Sequence, residues 1–335
     1  MYVLMKTQLL FASIENIDAD AVAIVLFEPS GDTAPGGDHQ ALSHGLIAEL
    51  YESKEFTGKS LATTLIHRPA GFKASRLLLV GGGKVAEFSP PKLRQAAGTA
   101  LRFLKPKGVR RLALAPAGDF AAAEQVQMLV EGALLGDYEP DAYKTEDKAN
   151  ARRVNELVVL ASAEHQDHLD LGSAIAEAQN FSRSLANEPG NYLPPTVLAE
   201  RAVQMADAAG LEVEVLDTKR LTEMKMGALL GVAQGSSQPP VLIVVRYRPE
   251  KPPSGDTHLG LVGKAVTFDT GGISLKPSAD MDQMKYDMAG GAATLGAMQA
   301  IAYAKPLIPV TAVIPSVENM PGSRAQRPGD VVATM

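Results

Sequence analysis

The sequence predicts an α/β protein of two domains, each a mostly parallel sheet flanked by helices. Three observations predict it. The chain has 335 residues, more than the roughly 100–200 that one core ordinarily serves. Its strand-length segments include continuous apolar runs, the mark of strands buried on both faces. Stretches of helical periodicity separate those runs, which argues for crossover connections and parallel pairing.

The elements follow in order. The opening segment, MYVLMKTQLLFASIENIDAD, has one Lys and a short apolar stretch, then Glu15, Asp18 and Asp20. It reads as a first strand and not as a secretory leader. Ala21–Phe27 (AVAIVLF) and Arg76–Val80 (RLLLV) are strands, the second running into Gly81-Gly82-Gly83-Lys84. Ser89 is placed to cap a helix with prolines in its first turn; Leu93, Ala97, Ala100, Leu101 and Leu104 follow at helical spacing. Strand Leu112–Ala115, helix Ala121–Leu135 and strand Leu157–Ala161 complete a first domain over 1–162. Glu164–Asn187 is a long helix broken by Asn187-Glu188-Pro189-Gly190-Asn191, so 163–190 forms a linker of helix and loop. The second domain, 191–335, alternates again. Thr196 caps a helix over 197–209; strand 211–216, helix 218–230 and strands 241–247 and 259–268 follow. Asp280 then caps a helix over 281–304, and a strand covers 308–315. The Pro-rich piece 248–255 is a loop, and Val331-Val332 begins a further apolar element.

Composition excludes several classes. Hydrophobic residues make up 46% and charged residues 21%, ordinary for a soluble globular chain. A net charge of -6 gives no global attraction to nucleic acid or to an anionic membrane. The absence of cysteine removes disulfides, thiolate ligands and cysteine nucleophiles, and fits a reducing compartment. No apolar run approaches the roughly 20 residues that span a bilayer. A cytoplasmic protein is expected.

The residues that carry chemistry concentrate in His258–Lys276, HLGLVGKAVTFDTGGISLK, and the segment after it. Lys264 falls in the middle of an apolar strand, where burying an ammonium costs several kcal/mol unless something compensates. It either reaches solvent or a carboxylate, or is held neutral as a ligand beside a cation. Asp269 stands at the strand end, ahead of Thr270-Gly271-Gly272. Sites in parallel α/β sheets collect at such ends, and a carboxylate there suits a metal ion; a turn-forming Asp before two glycines is the plainer reading. Asp287 lies in the next helix among Met284, Met288 and a run of small residues, so its face is expected to be buried. A buried carboxylate needs a cation or donors, and Lys285, two residues away, points elsewhere on a helix. A metal ion or a remote Arg would serve. His165 and His168 lie three apart beside acidic residues and read as a solvated helix face. Gly81-Gly82-Gly83-Lys84 lacks the spacing of a phosphate loop or a dinucleotide fingerprint and reads as a strand-to-helix turn.

Taken together, VGKAVTFDTGGISLKPSADMDQMKYDMAGGAAT, NEPGNYLPPTVLAERA and VENMPGSRAQRPGDVV resemble segments of the leucyl aminopeptidase family, in the family's order. The resemblance covers residues 155–335; the first half shares only a general α/β character. It implies a two-metal aminopeptidase that releases N-terminal residues such as Leu from peptides with a free N-terminus. Lys264, Asp269 and Asp287 are implied as metal ligands, with Asp269 bridging two divalent ions, manganese or zinc. Lys276 is implied as the catalytic lysine and Met284 as a wall of the pocket for the first side chain. A homo-oligomer, a hexamer in the family, is implied as well. Two departures stand out. Ala265 occupies a position where the family usually has Gly. The family's further acidic ligands and arginine follow its RPGD segment by roughly 15–20 residues, whereas Asp330 here is followed by five. The catalytic domain is thus expected to be incomplete, and a truncated, inactive relative acting as a scaffold or binding protein is the alternative. A DNA-binding role, found in some bacterial relatives, has nothing in the composition to favour it.

Overall fold

The computed structural model describes residues 5–30, 42–140, 143, 152–251, 255 and 257–334. The chain divides into two compact units, Met1–Glu177 and Ala178–Met335. Among the described residues no helix is long and apolar enough to cross a membrane.

The first unit contains strands β1 (Lys6–Leu9), β2 (Ala21–Leu26), β3 (Thr63–His67), β4 (Arg76–Gly81), β5 (Arg111–Leu114) and β6 (Glu156–Val159). Its helices are α1 (Leu46–Glu52), α2 (Pro90–Leu104) and α3 (Ala122–Asp137), and α4 (Gln166–Asn187) begins within it. The sheet order is β1-β6-β5-β2-β4-β3. Every pairing is parallel except β3 with β4. The apolar runs have a direct cause. In β2, Ala21, Ala23 and Val25 enter the core that holds α2 and α3. Val22, Ile24 and Leu26 enter a second core with Ile47 and Leu50 of α1. Side chains alternate across a strand, so a strand between two cores must be apolar at every position.

Helices α2 and α3 cross at glycine. A Cβ on Gly132 would lie 2.0 Å from the Arg94 carbonyl oxygen, and one on Gly136 would lie 2.9 Å from Cα of Gly98. Beside the crossing, the buried Glu131 accepts hydrogen bonds from Gln127 and Arg94. Ser89 stands at the N-cap of α2 ahead of two prolines, but its side chain makes no capping bond.

The second unit holds α5 (Pro195–Ala209), β7 (Glu212–Leu216), α6 (Thr218–Glu223), α7 (Gly227–Ala233) and β8 (Val241–Tyr247). Then come β9 (Leu259–Val262), β10 (Ala265–Asp269), a 3-10 helix (Met281–Met288), α8 (Ala289–Ala304) and β11 (Val310–Asn319). The sheet order is β10-β11-β8-β7, with β9 also pairing β11. Strands β9 and β10 run parallel to β11, while β8 is antiparallel to both β11 and β7. This sheet is therefore mixed, not mostly parallel as expected. Its core gathers Ile243, Val245, Ala312 and Ile314 against Leu198, Ala202, Leu295 and Met298 of α5 and α8.

Several expected elements are divided. The strand foreseen over 259–268 breaks at Gly263 and Lys264, and the helix over 218–230 becomes α6 and α7. Lys225 lies between those helices at φ 58°. The helix over 281–304 is a 3-10 segment followed by α8. Asp280 has φ 58° and makes no capping bond. Pro194, not Thr196, holds the N-cap position of α5. Val331 and Val332 belong to no strand, and Val331 is 98% exposed. Of the loop foreseen at 248–255, residues 252–254 lie outside the described residues.

The α2–α3 crossing sets two effects against each other. Gly132→Ala gains about 1 kcal/mol of helix propensity, but overpacking of this kind costs about 1–3 kcal/mol. Net destabilisation is expected, read as a lower midpoint in thermal unfolding; a raised midpoint would contradict the packing account.

Candidate metal centre

The break between β9 and β10 is made by close packing. A Cβ on Gly263 would lie 2.5 Å from Thr294 Oγ1 and 2.7 Å from the Gly290 carbonyl oxygen, so the start of α8 lies directly on this backbone. The Gly291 N–H donates to the Lys264 carbonyl at 2.7 Å. Ala265 is fully buried, and a Cβ on Gly291 would come within 2.7 Å of its methyl. An alanine fits at 265 because glycine faces it.

Lys264 is consequently not a buried strand residue. Its side chain is 60% exposed, and its ammonium lies 2.7 Å from Asp287 Oδ2 while donating to Oδ1 at 2.7 Å. The desolvation cost expected for a lysine within an apolar strand does not arise. Asp287 does sit inward, and its remote cation is this lysine, not an arginine. Although Lys264 lies close, Asp287 Oδ2 is buried and receives no well-directed hydrogen bond.

Asp269 ends β10. Its Oδ1 accepts the Gly271 N–H at 2.9 Å and the Asn319 side-chain amide at 2.7 Å, and its Oδ2 accepts the Lys276 ammonium at 2.8 Å. Burial pushes this carboxyl upward, but the hydrogen bonds from Lys276, Gly271 and Asn319, with the lysine's charge, outweigh it and hold the group at about 2. The loop is folded back to make this possible. Lys276 N–H donates to the Thr270 carbonyl at 2.9 Å, and Gly271 and Gly272 take φ 91° and 73°, values that favour glycine.

The 3-10 helix brings the two ion pairs together. Three residues per turn place Met281, Met284 and Asp287 on one side. Met284 Sδ contacts the Lys276 ammonium at 3.0 Å, and Asp287 receives Lys264. The next residue round from Met284, Lys285, turns away and donates to the Asn187 carbonyl at 3.3 Å. The five residues singled out in the sequence thus fall into two contact groups, Lys264 with Asp287 and Lys276 with Asp269 and Met284, and the 3-10 helix contributes a residue to each. Asn319 belongs to the second group and was not foreseen, because its partner lies 50 residues away across a strand pair that periodicity does not reveal.

Two carboxylates, one of them with an under-coordinated buried oxygen, and a lysine amine are donors of the kind a divalent ion takes. They fit as part of a site. Among the described residues no group of three or more His, Cys, Asp or Glu side chains is placed to hold a metal. The other motifs lie in the first unit. His165 ends a short 3-10 helix and lies 3.5 Å from Glu164. A Cβ on Gly81 would meet the Lys59 carbonyl oxygen and one on Gly82 the Phe27 ring, so close packing at the strand end accounts for both glycines.

Two measurements on the metal-free chain check this geometry. A carboxyl held low in the folded state adds stability that is fully present above its unfolded value of about 4 and is lost as the pH falls through the folded value of about 2. The Asp269 side-chain carbonyl resonance should titrate with a midpoint near 2, and a midpoint near 4 would refute the three-donor arrangement. Removing the lysine by Lys264→Met leaves the Asp287 carboxylate unpaired. The thermal midpoint should fall, and adding Asp287→Asn should recover part of the loss.

The chain has clear relatives. The catalytic domain of the cytosol aminopeptidase family matches residues 180–335, and that family's N-terminal domain matches residues 21–147. A probable cytosol aminopeptidase of Solibacter usitatus is 50% identical over 322 residues, covering 96% of this chain and 64% of that protein. One from Koribacter versatilis is 40% identical, covering 99% of this chain and 69% of its own length. The chain thus spans about two thirds of the length of these relatives. Among solved structures, the bottromycin maturation enzyme BotP in complex with Mn superposes with a TM-score of 0.79 at 32% identity, over 94% of this chain and 63% of that one. A tomato leucine aminopeptidase mutant superposes with a TM-score of 0.83 at 26% identity, over 99% and 66%. Both halves of the sequence therefore lead to one assignment: the chain belongs to the cytosol aminopeptidase family.

Proposed function

We propose that the contact set around Asp269 serves the release of N-terminal amino acids, Leu and similar, from peptides with a free N-terminus. The observation that carries this reading is the position of Lys276, whose ammonium bridges Asp269 Oδ2 and Met284 Sδ. It stands between a candidate metal ligand and a candidate pocket wall, where a cation meets the reacting carbonyl of a bound peptide.

In this reading Lys264, Asp269 and Asp287 would hold divalent ions, two in number and manganese or zinc. Such ions activate water as a nucleophile and anchor a free α-amine, as in other two-metal hydrolases. Lys264 and Lys276 neutralise the two carboxylates in the metal-free chain. As a ligand Lys264 must give up a proton, so metal binding releases protons and tightens as the pH rises. Freed from Asp269, the Lys276 ammonium donates to the oxyanion that develops on the scissile carbonyl. Met284 lends an adaptable apolar surface to the first side chain. The relatives' name, cytosol aminopeptidase, supports a cytoplasmic location, and assembly as a homo-hexamer belongs to the same reading.

One observation favours a second reading, in which this chain is a non-catalytic scaffold. Its described residues bring together only two carboxylates and a lysine amine, short of a full set for two ions. The chain of residues 1–335 is accordingly expected to show no turnover of aminoacyl-anilides with manganese or zinc added. Clear turnover, abolished by Lys276→Ala, would overturn that expectation. In a catalytically competent protein that contains this chain, Asp287→Ala should lower the bound metal measured by elemental analysis. Unchanged stoichiometry would remove Asp287 from the ligand set.

A further inference from the structure

Where β10 meets the end of β11, the pairing slips. Val266 lies opposite Val317, yet Asp269 lies opposite Asn319. Strand β10 therefore advances three residues while β11 advances two, which inserts one extra residue as a bulge. Bulges are rare in parallel pairs and re-aim side chains beside active sites. Without the slip, Phe268 would face Asn319 and Asp269 would lie one place beyond the end of β11.

The slip sets up a division of labour on one carboxylate. Asn319 donates its amide to Asp269 Oδ1 at 2.7 Å, the oxygen that also takes the Gly271 N–H. Oδ1 is thereby committed to the protein frame, and Oδ2 is left to Lys276. Asn319 is itself fixed through its main chain, since its carbonyl accepts both the N–H of Thr270 at 3.0 Å and its hydroxyl at 2.9 Å. The neighbouring Glu318 is held by the Ser236 hydroxyl, and a Cβ on Gly272 would lie 2.9 Å from Asn319 Oδ1. Backbone and side chain of Asn319 thus do separate jobs: the first ties the loop to β11, and the second sets the rotation of the Asp269 carboxylate.

We propose that Asn319 is a positioning residue that, through the β10 bulge, fixes which oxygen of Asp269 is free to meet a cation. This rests on the reading of Asp269 as a metal ligand, but half of it concerns the metal-free chain alone.

Two readouts on the 1–335 chain separate the parts. In the metal-free protein, the 15N ammonium resonance of Lys276 reports its bond to Asp269. Asn319→Leu should let the carboxylate rotate and lose that resonance to solvent exchange, whereas Thr270→Val, which removes a bond to the Asn319 carbonyl and the acceptor of the Gly272 N–H but no donor to Asp269, should keep it. A Lys276 resonance unchanged in Asn319→Leu would overturn the proposal. Titration with MnCl2 alone gives the second readout. Asn319→Leu should weaken binding about tenfold, the scale of losses when a ligand's supporting hydrogen bond is removed, and Thr270→Val should leave it unaltered. Equal weakening in both variants would make Asn319 merely structural and overturn the proposal. If the parent chain binds no Mn2+ while Asn319→Leu still loses the resonance, positioning is supported and the metal reading fails. Should Asn319→Leu not fold, Asn319→Ala provides the same comparison.

Discussion

A carboxylate taken out of water demands donors, and the second unit is organised around meeting that demand at Asp269. Three donors reach it from three separate segments: Gly271 in the turn, Lys276 from the returning loop, and Asn319 from β11. Each imposes a structural condition. The turn needs two residues of positive φ, which glycines supply. The loop must fold back onto Thr270. The strand pair must slip by one residue. None of these local features is the most stable choice alone, and together they hold the carboxyl ionised at about 2 despite its burial.

The 3-10 helix extends this arrangement to a second carboxylate. In an α-helix, positions three apart are offset by about 60°, whereas in a 3-10 turn they eclipse. Met284 and Asp287 therefore stand in line, one over Lys276 and the other over Lys264. The tighter winding is anchored at two points, near its middle and at its end. Lys285 holds a carbonyl at the end of α4, and Met288 is buried where α8 begins. Asp287 also sits just ahead of the α8 N-terminus, where the helix dipole favours negative charge. Each carboxylate thus meets one lysine, Asp269 with Lys276 and Asp287 with Lys264, so the charges balance pair by pair.

Much of this was legible in the sequence, for identifiable reasons. The strands β2 and β4 announce themselves because two cores force every position to be apolar. Short β3 and α1 do not, since half-exposed segments of five and seven residues carry too little pattern. The site residues were legible as a group, but their environment was not. Lys264 read as buried because periodicity runs straight through Gly263, and only the packing of α8 against that glycine shows the strand to be broken. The segment MDQMKYDM suits α and 3-10 winding alike, so its composition does not decide which side Asp287 takes. Asn319 escaped because a bulge, not an alternation, decides what it faces.

The contact between Ala265 and Gly291 carries an implication for how such a sequence is reached. A methyl group at one position is compatible only with a bare backbone at the other. Replacements at the two sites therefore cannot occur in either order. Alanine enters at 265 only while 291 is glycine, and a side chain at 291 needs the Ala265 methyl gone and further room from Ile314 Cγ2 at 3.0 Å and the Lys264 carbonyl oxygen at 3.2 Å. Two residues 26 positions apart are bound into one lineage of permitted steps, and the path between the two arrangements passes through glycine at both.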